Sequence, residues 1–198
     1  MGSLAFSGAV LAGGRSSRMG TDKSRLRLGG ETLLARQLRL LAEAGAQERI
    51  VAGGAGGWEL EPGIRVVADR ETGLGPLAGL EASLSACNYE WLLVLAVDLP
   101  GMSAEFLRLL LESVAPGCGV VPWRDGFAEP LAAVYPRIAL AEVTARLARR
   151  ELALQPLVRT GLEAGWLRSL PVGPADAALF ANWNRPEDFA GTGGGFGL

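Results

Sequence analysis

Apolar residues along this chain gather in short unbroken runs, separated by stretches whose apolar positions recur at helical spacing. Phe6 to Ala12 is such a run and stops at Gly13-Gly14, the pattern of a buried strand opening into a loop. Residues 31–44 then place Leu34, Leu38 and Leu41 on one helical face, with Arg36, Arg39 and Glu43 largely elsewhere, before Gly45. Arg49 to Ala52 and Ile64 to Ala68 predict two more short strands, the second ending at Asp69. A helix is expected over 76–87 with Pro76 in its first turn, where a missing amide proton costs nothing. Trp91 to Val97 has the continuous apolar character of a strand covered on both faces, and it stops at Asp98-Leu99-Pro100. Ser103 caps a further helix with Phe106, Leu107, Leu110, Leu111 and Val114 on one side.

Strands alternating with helices predict an α/β fold, a doubly wound, mostly parallel sheet flanked by helices. Function in such sheets gathers at the carboxyl ends of strands. The glycine loop, Asp69 and Asp98 all fall at such ends. The second half is less regular. Val120-Val121 and Leu131 to Val134 read as strands around a loop at Trp123–Glu129, helices are expected at 137–149 and 153–163, and a strand near Trp166 to Leu170. Residues 1–190 are expected to form one domain, its N-terminal half binding nucleotide and its C-terminal third the acceptor. The tail at 191–198, GTGGGFGL from Gly191, reads as disordered.

Composition narrows the chemistry. At 198 residues and 49% apolar, the chain can bury a full core without disulfide or metal. A net charge of −2 with dispersed basic residues argues against nucleic acid as partner. The longest apolar run is too short to cross a membrane, and the N-terminus lacks the pattern of a secretory signal. Cys87 and Cys118 lie in core-like segments and read as buried, reduced thiols of a cytoplasmic protein. No histidine is present, which removes Ser-His-Asp hydrolysis and His-ligated zinc together.

The loop from Gly13 to Lys23 has neither the Walker spacing nor the dinucleotide fingerprint. It nevertheless combines Gly13, Gly14 and Gly20, whose backbone can approach an anion closely, with Arg15, Arg18 and Lys23. Three cations on so short a loop repel one another unless an anion sits among them; an ordinary glycine turn with solvated charges is the alternative. Asp98 is placed to hold Mg2+ against triphosphate oxygens, and equally reads as a turn residue before proline. Asp69 ends another strand at the same edge, and reads equally as a surface turn residue. Gly75, Pro76 and Leu77 read as a helix start, or as a wall approached closely by a base or ribose.

Taken together, LAGGRSSRMGTDK at 11–23, GPLAG at 75–79, VDLP at 97–100, EPLAAVY at 129–135 and NWNRPED at 182–188 resemble the molybdenum cofactor guanylyltransferase family, within the Rossmann-like nucleotidyltransferases. The motifs stand in family order and span almost the whole chain. The resemblance implies transfer of GMP from GTP to molybdenum-bearing molybdopterin, with release of pyrophosphate and formation of the guanine dinucleotide. It implies that Leu11, Ala12 and Gly13 contact guanosine and the first phosphate, Lys23 the phosphates, Asp69 the nucleotide, and Asp98 both nucleotide and Mg2+. A position after the second strand, often Asn in related enzymes, corresponds here to Gly53, which could contribute backbone alone. Asn182 and Asn184 resemble an Asn-x-Asn implicated near the pterin, and read equally as turn and cap residues.

On this resemblance Lys23, Arg18 and Asp98 would carry catalysis by positioning and charge neutralisation. Two competitors stand beside it. One is a sister enzyme using CTP on the same cofactor, or another nucleotide on a sugar or polyol phosphate. The other is a nucleotide-binding module that delivers cofactor without catalysis. Handover of the product implies transient contact with cofactor-biosynthesis proteins or recipient molybdoenzymes.

Overall fold

In a computed structural model, described here for residues 4–13, 22–53, 56–71 and 73–183, the apolar runs form the middle of one sheet. In chain order the elements are β1 (Phe6–Leu11), β2 (Arg27–Leu28), β3 (Glu31–Thr32), α1 (Leu33–Glu43), β4 (Glu48–Ala52), β5 (Ile64–Val67) and α2 (Pro76–Ala86). They continue with β6 (Trp91–Ala96), α3 (Ala104–Glu112), β7 (Gly119–Arg124), β8 (Phe127–Ala128), β9 (Ala132–Pro136), α4 (Ala139–Ala148), α5 (Leu154–Glu163) and β10 (Leu167–Pro171). Short 3-10 helices at Lys23–Arg25 and Pro174–Phe180 complete the list among the described residues.

The main sheet runs β10-β7-β9-β6-β1-β4-β5, with β8 attached to β7. β1 pairs in parallel with β4 and β6, and β4 with β5. β9 alone on that path runs against its neighbours β6 and β7. β7 and β10 therefore point the same way as β6. This is the mostly parallel sheet that the alternation of elements predicts. β1 and β6 are buried at every position, because helices cover both of their faces.

One layer consists of α1 and α3, which lay Leu34, Leu38, Leu41, Phe106, Leu107 and Leu110 on the sheet. The other consists of α2, α4 and α5, with Leu77, Leu80, Leu84, Val143, Leu157 and Val158. α2 is buried on nearly every side, since it lies between the sheet and α4. Side-chain caps fix two helix starts: Thr32 Oγ1 accepts from the Ala35 amide at 3.1 Å, and Ser103 Oγ from the Phe106 amide at 3.2 Å.

Local chemistry moved several expected boundaries. The helix expected from residue 31 starts at Leu33, because residues 27–32 form the small β2–β3 hairpin. The loop expected at Trp123–Glu129 is a hairpin, β7–β8, turned through Asp125 (φ +50°) and Gly126 (φ +85°). Cys87 is buried as expected, whereas Cys118 is only partly so; both are free thiols. No helix among the described residues is long and apolar enough to cross a membrane. The tail expected to be disordered, 191–198, lies outside the described residues.

Candidate active site

Four neighbouring parallel strands, β6, β1, β4 and β5, end on one edge of the sheet, and their carboxyl ends lead directly into Asp98, Gly13, Gly53 and Asp69. The chain returns to this edge at the 3-10 helix Lys23–Arg25. There Asp22 Oδ1 accepts from the Ser24 amide at 3.0 Å and from the Ser24 hydroxyl at 2.7 Å. The Trp58 indole donates to the same hydroxyl at 2.7 Å. With its neighbour anchored, Lys23 extends to Asp98, Nζ to Oδ2 at 2.9 Å. Their side chains are 19% and 23% exposed, so the pair is shielded yet reachable from solvent.

The backbone after β6 is held just as firmly. The Asp98 carbonyl accepts from the Trp183 amide at 3.1 Å. The Leu99 carbonyl accepts from Gln37 Nε2 at 2.8 Å, and the Pro100 carbonyl from Arg36 Nε at 2.9 Å. Consecutive carbonyls are thus tied to α1 on one side and to the C-terminal segment on the other. Sequence reasoning missed Arg36, Gln37 and Trp183. Gln37 did carry a signal, since a lone amide sits between Leu34 and Leu38 on the apolar stripe of α1.

Beside this pair the backbone closes in. A Cβ on Gly53 (φ +75°) would stand 2.9 Å from Gly13 Cα and 3.6 Å from Asp69 Oδ1, so three predicted positions meet in one small space. Only glycine tolerates both that contact and that φ. Asp69 Oδ1 is buried without a hydrogen-bond partner among the described residues. Burial raises the carboxyl pKa of Asp69 above its ordinary value. An orphaned acceptor beside a close backbone approach suits an N–H or O–H donor on a ligand.

Leu11 and Ala12 are buried, so they could offer a ligand only backbone. The Ala12 amide already donates to the Ala52 carbonyl at 2.9 Å. Gly75 and Pro76 are exposed at the head of α2, on the opposite face of the sheet from α1, while the Leu77 side chain is fully buried. Asn182 is exposed and adjoins Trp183. Gly14, Arg18 and Asn184 lie outside the described residues.

The described residues hold no cluster of three or more His, Cys, Asp or Glu side chains. One accessible carboxylate, Asp98, is the donor set suited to a hard divalent cation that completes its shell with phosphate oxygens and water.

Residues 8–164 match the model of the MobA-like NTP transferase domain. A probable molybdenum cofactor guanylyltransferase from Opitutus terrae is 44% identical over 188 residues, covering 93% of each chain. A molybdenum cofactor guanylyltransferase from Xanthomonas euvesicatoria is 33% identical over 190 residues, again covering 93% of each. Among solved structures, molybdopterin-guanine dinucleotide biosynthesis protein A from Archaeoglobus fulgidus aligns with TM-score 0.70 at 23% identity, covering 93% of this chain and 95% of that one. The 2-C-methyl-D-erythritol 4-phosphate cytidylyltransferase from Thermus thermophilus gives 0.68 at 19% identity, with coverage of 93% and 95%. Enzymes of different base specificity thus share this fold, and at such identities the structural likeness speaks for the fold alone. By the match over 8–164 and the identity to its relatives, the chain belongs to the MobA-like NTP transferase family.

Proposed function

We propose that this protein transfers GMP from GTP to molybdenum-bearing molybdopterin, releasing pyrophosphate and forming molybdopterin guanine dinucleotide. The observation that carries the reading is the Lys23–Asp98 pair at the edge where the parallel strands end. A cation for phosphates and a carboxylate for a metal stand together there. The choice of guanine and molybdopterin draws support from relatives of that name, which align along nearly the whole chain.

A terminal phosphate oxygen of molybdopterin attacks the α-phosphorus of GTP, the bond to the β-phosphate oxygen breaks, and pyrophosphate carries away the electron pair. The acceptor phosphate is already an anion, so no protein nucleophile is needed. Lys23 neutralises charge on the β- and γ-phosphates, and Arg18 of the glycine loop adds to it. Backbone around Gly13, Gly14 and Gly53 approaches the nucleotide, with Gly75, Pro76 and the Leu77 amide forming the wall across the edge. Asp69 accepts a hydrogen bond from the nucleoside through its orphaned oxygen. Asp98 would hold Mg2+, which would supply Lewis-acid stabilisation of the reacting phosphates. Asn182 and Asn184 are assigned to acceptor binding on the resemblance of NWNRPED alone. The free thiols suit a reducing compartment, and we assign the reaction to the cytoplasm.

The test is product identification by mass spectrometry after incubating the protein with Mg2+, GTP and molybdenum-bearing molybdopterin. The guanine dinucleotide and stoichiometric pyrophosphate are expected; unchanged molybdopterin would reject the assignment.

A further inference from the structure

The β7–β8 hairpin stands on the same sheet edge as Asp98 and takes no part in the chemistry above. The register aligns Val120 with Val134 and Val134 with Leu93, so counting forward brings Arg124 level with Val97, just before Asp98. Only β9 separates β7 from β6, which puts the hairpin roughly 10 Å to the side. Arg124 and Phe127 are direct cross-strand partners, as are Trp123 and Ala128. Ala128 and Trp123 pack inward toward α5, so Arg124 and Phe127 share the other face. That is the face of α1, α3 and Trp183, and the 3-10 helix that carries Lys23 packs against α1.

Phe127 is 66% exposed, on a support held from several directions. Gln155 on α5 grips Ala128 at both ends of its backbone, accepting from its amide at 3.2 Å and donating to its carbonyl at 2.8 Å. The Glu129 amide donates to the Pro122 carbonyl at 2.9 Å, closing the base of the hairpin. Asp125 (φ +50°) and Gly126 (φ +85°) are the Asp-Gly pair that a two-residue hairpin turn favours, which fixes the register of Phe127 against Arg124. Arg124 ties the polar rim together, reaching Asp125 at 3.1 Å and Glu129 Oε1 at 2.9 Å, which leaves the second Glu129 oxygen to accept. A solitary flat aromatic surrounded by charges lacks the contiguous apolar area of a protein interface. It does fit a planar heterocycle with N–H groups along one edge.

We infer that this hairpin seats the ring system of the acceptor, with Phe127 stacking on the planar aminopyrimidinone and Glu129 accepting from its N–H edge. The inference rests on the transfer reading above and adds where the acceptor lies: beside β7, with its phosphate end directed along the sheet edge toward Asp98.

The test measures transfer by the full-length protein with molybdenum-bearing molybdopterin and GTP varied separately, in wild type, Phe127→Ala, Phe127→Leu and Phe127→Trp. Loss of a stacked aromatic is expected to raise the acceptor KM about ten-fold in Phe127→Ala, with GTP KM and melting temperature unchanged. Phe127→Leu, which keeps apolar bulk without a π face, should recover little of it, and Phe127→Trp should restore wild-type values. An unchanged acceptor KM in Phe127→Ala, or an equal rise in both KM values, overturns the inference while leaving the transfer reading intact. A wild-type protein that adds no nucleotide to molybdopterin overturns both.

Discussion

Lys23 Nζ and Asp98 Oδ2 lie 2.9 Å apart although 75 positions separate them in the chain. The contact exists because the loop after β1 and the turn after β6 open on the same sheet edge. Without nucleotide the pair is self-neutralising. A metal triphosphate offers each partner an ion of opposite sign, so the site trades one set of charge contacts for another.

Replacing either partner should therefore affect function far more than stability. Asp98→Asn should lower kcat on the order of a thousand-fold and abolish its dependence on Mg2+. Lys23→Ala should weaken GTP binding and turnover together, while costing at most about 1 kcal/mol of stability for a pair this close to solvent. Metal-dependent initial rates, GTP titration and thermal melts check these outcomes; near-normal turnover in Asp98→Asn would remove it from the mechanism.

Gly53→Ala should impair both stability and nucleotide binding. The new Cβ meets Gly13 Cα at 2.9 Å, at a φ that alanine resists. Gly63 (φ +88°) is an internal control, since a Cβ there meets nothing within 4 Å. Each substitution is expected to cost about 1 kcal/mol through its backbone conformation. Only Gly53→Ala should also raise the KM for GTP; equal KM values in the two variants would contradict the close-approach role.

Asp69→Asn should raise the melting temperature while weakening nucleotide binding. Burial lifts the folded pKa of Asp69 above the unfolded value, so its ionised form opposes folding. That penalty is absent below the unfolded pKa and grows as pH rises through the folded one. The stability gap between variant and wild type should open upward from the ordinary carboxylate range. A gap that instead widens toward acid would have the wrong sign.

Gln37→Ala should reduce turnover although Gln37 lies behind the site rather than in it. It removes the donor that holds the Leu99 carbonyl and leaves a cavity at a fully buried position. A loss of about 2 kcal/mol is expected. Turnover should drop even well below the melting temperature, because the loop that carries Asp98 has lost a restraint. Full turnover in a merely less stable variant would confine Gln37 to packing.

Much of this was legible from residue pattern alone. The unbroken runs of β1 and β6 and the apolar stripes of α1 and α3 announced covered strands and one-sided helices. The ends of β1, β5 and β6 then singled out Gly13, Asp69 and Asp98. What escaped depends on pairing across long separations. Ala132–Pro136 reads the same whether its strand runs with or against its neighbours, so the reversal of β9 was invisible. The Gly53–Gly13 approach is made by backbone, which no side-chain pattern encodes. Phe127 fell within the expected loop at Trp123–Glu129, and its outward position follows only from the β7–β8 pairing.

The central claim is tested most directly by following label from α-phosphate-labelled GTP, CTP, ATP and UTP into molybdenum-bearing molybdopterin, with and without Mg2+. The account predicts Mg2+-dependent incorporation from GTP by the wild-type protein and none by Asp98→Asn. Preferential incorporation from another nucleotide, or none from any, would contradict it.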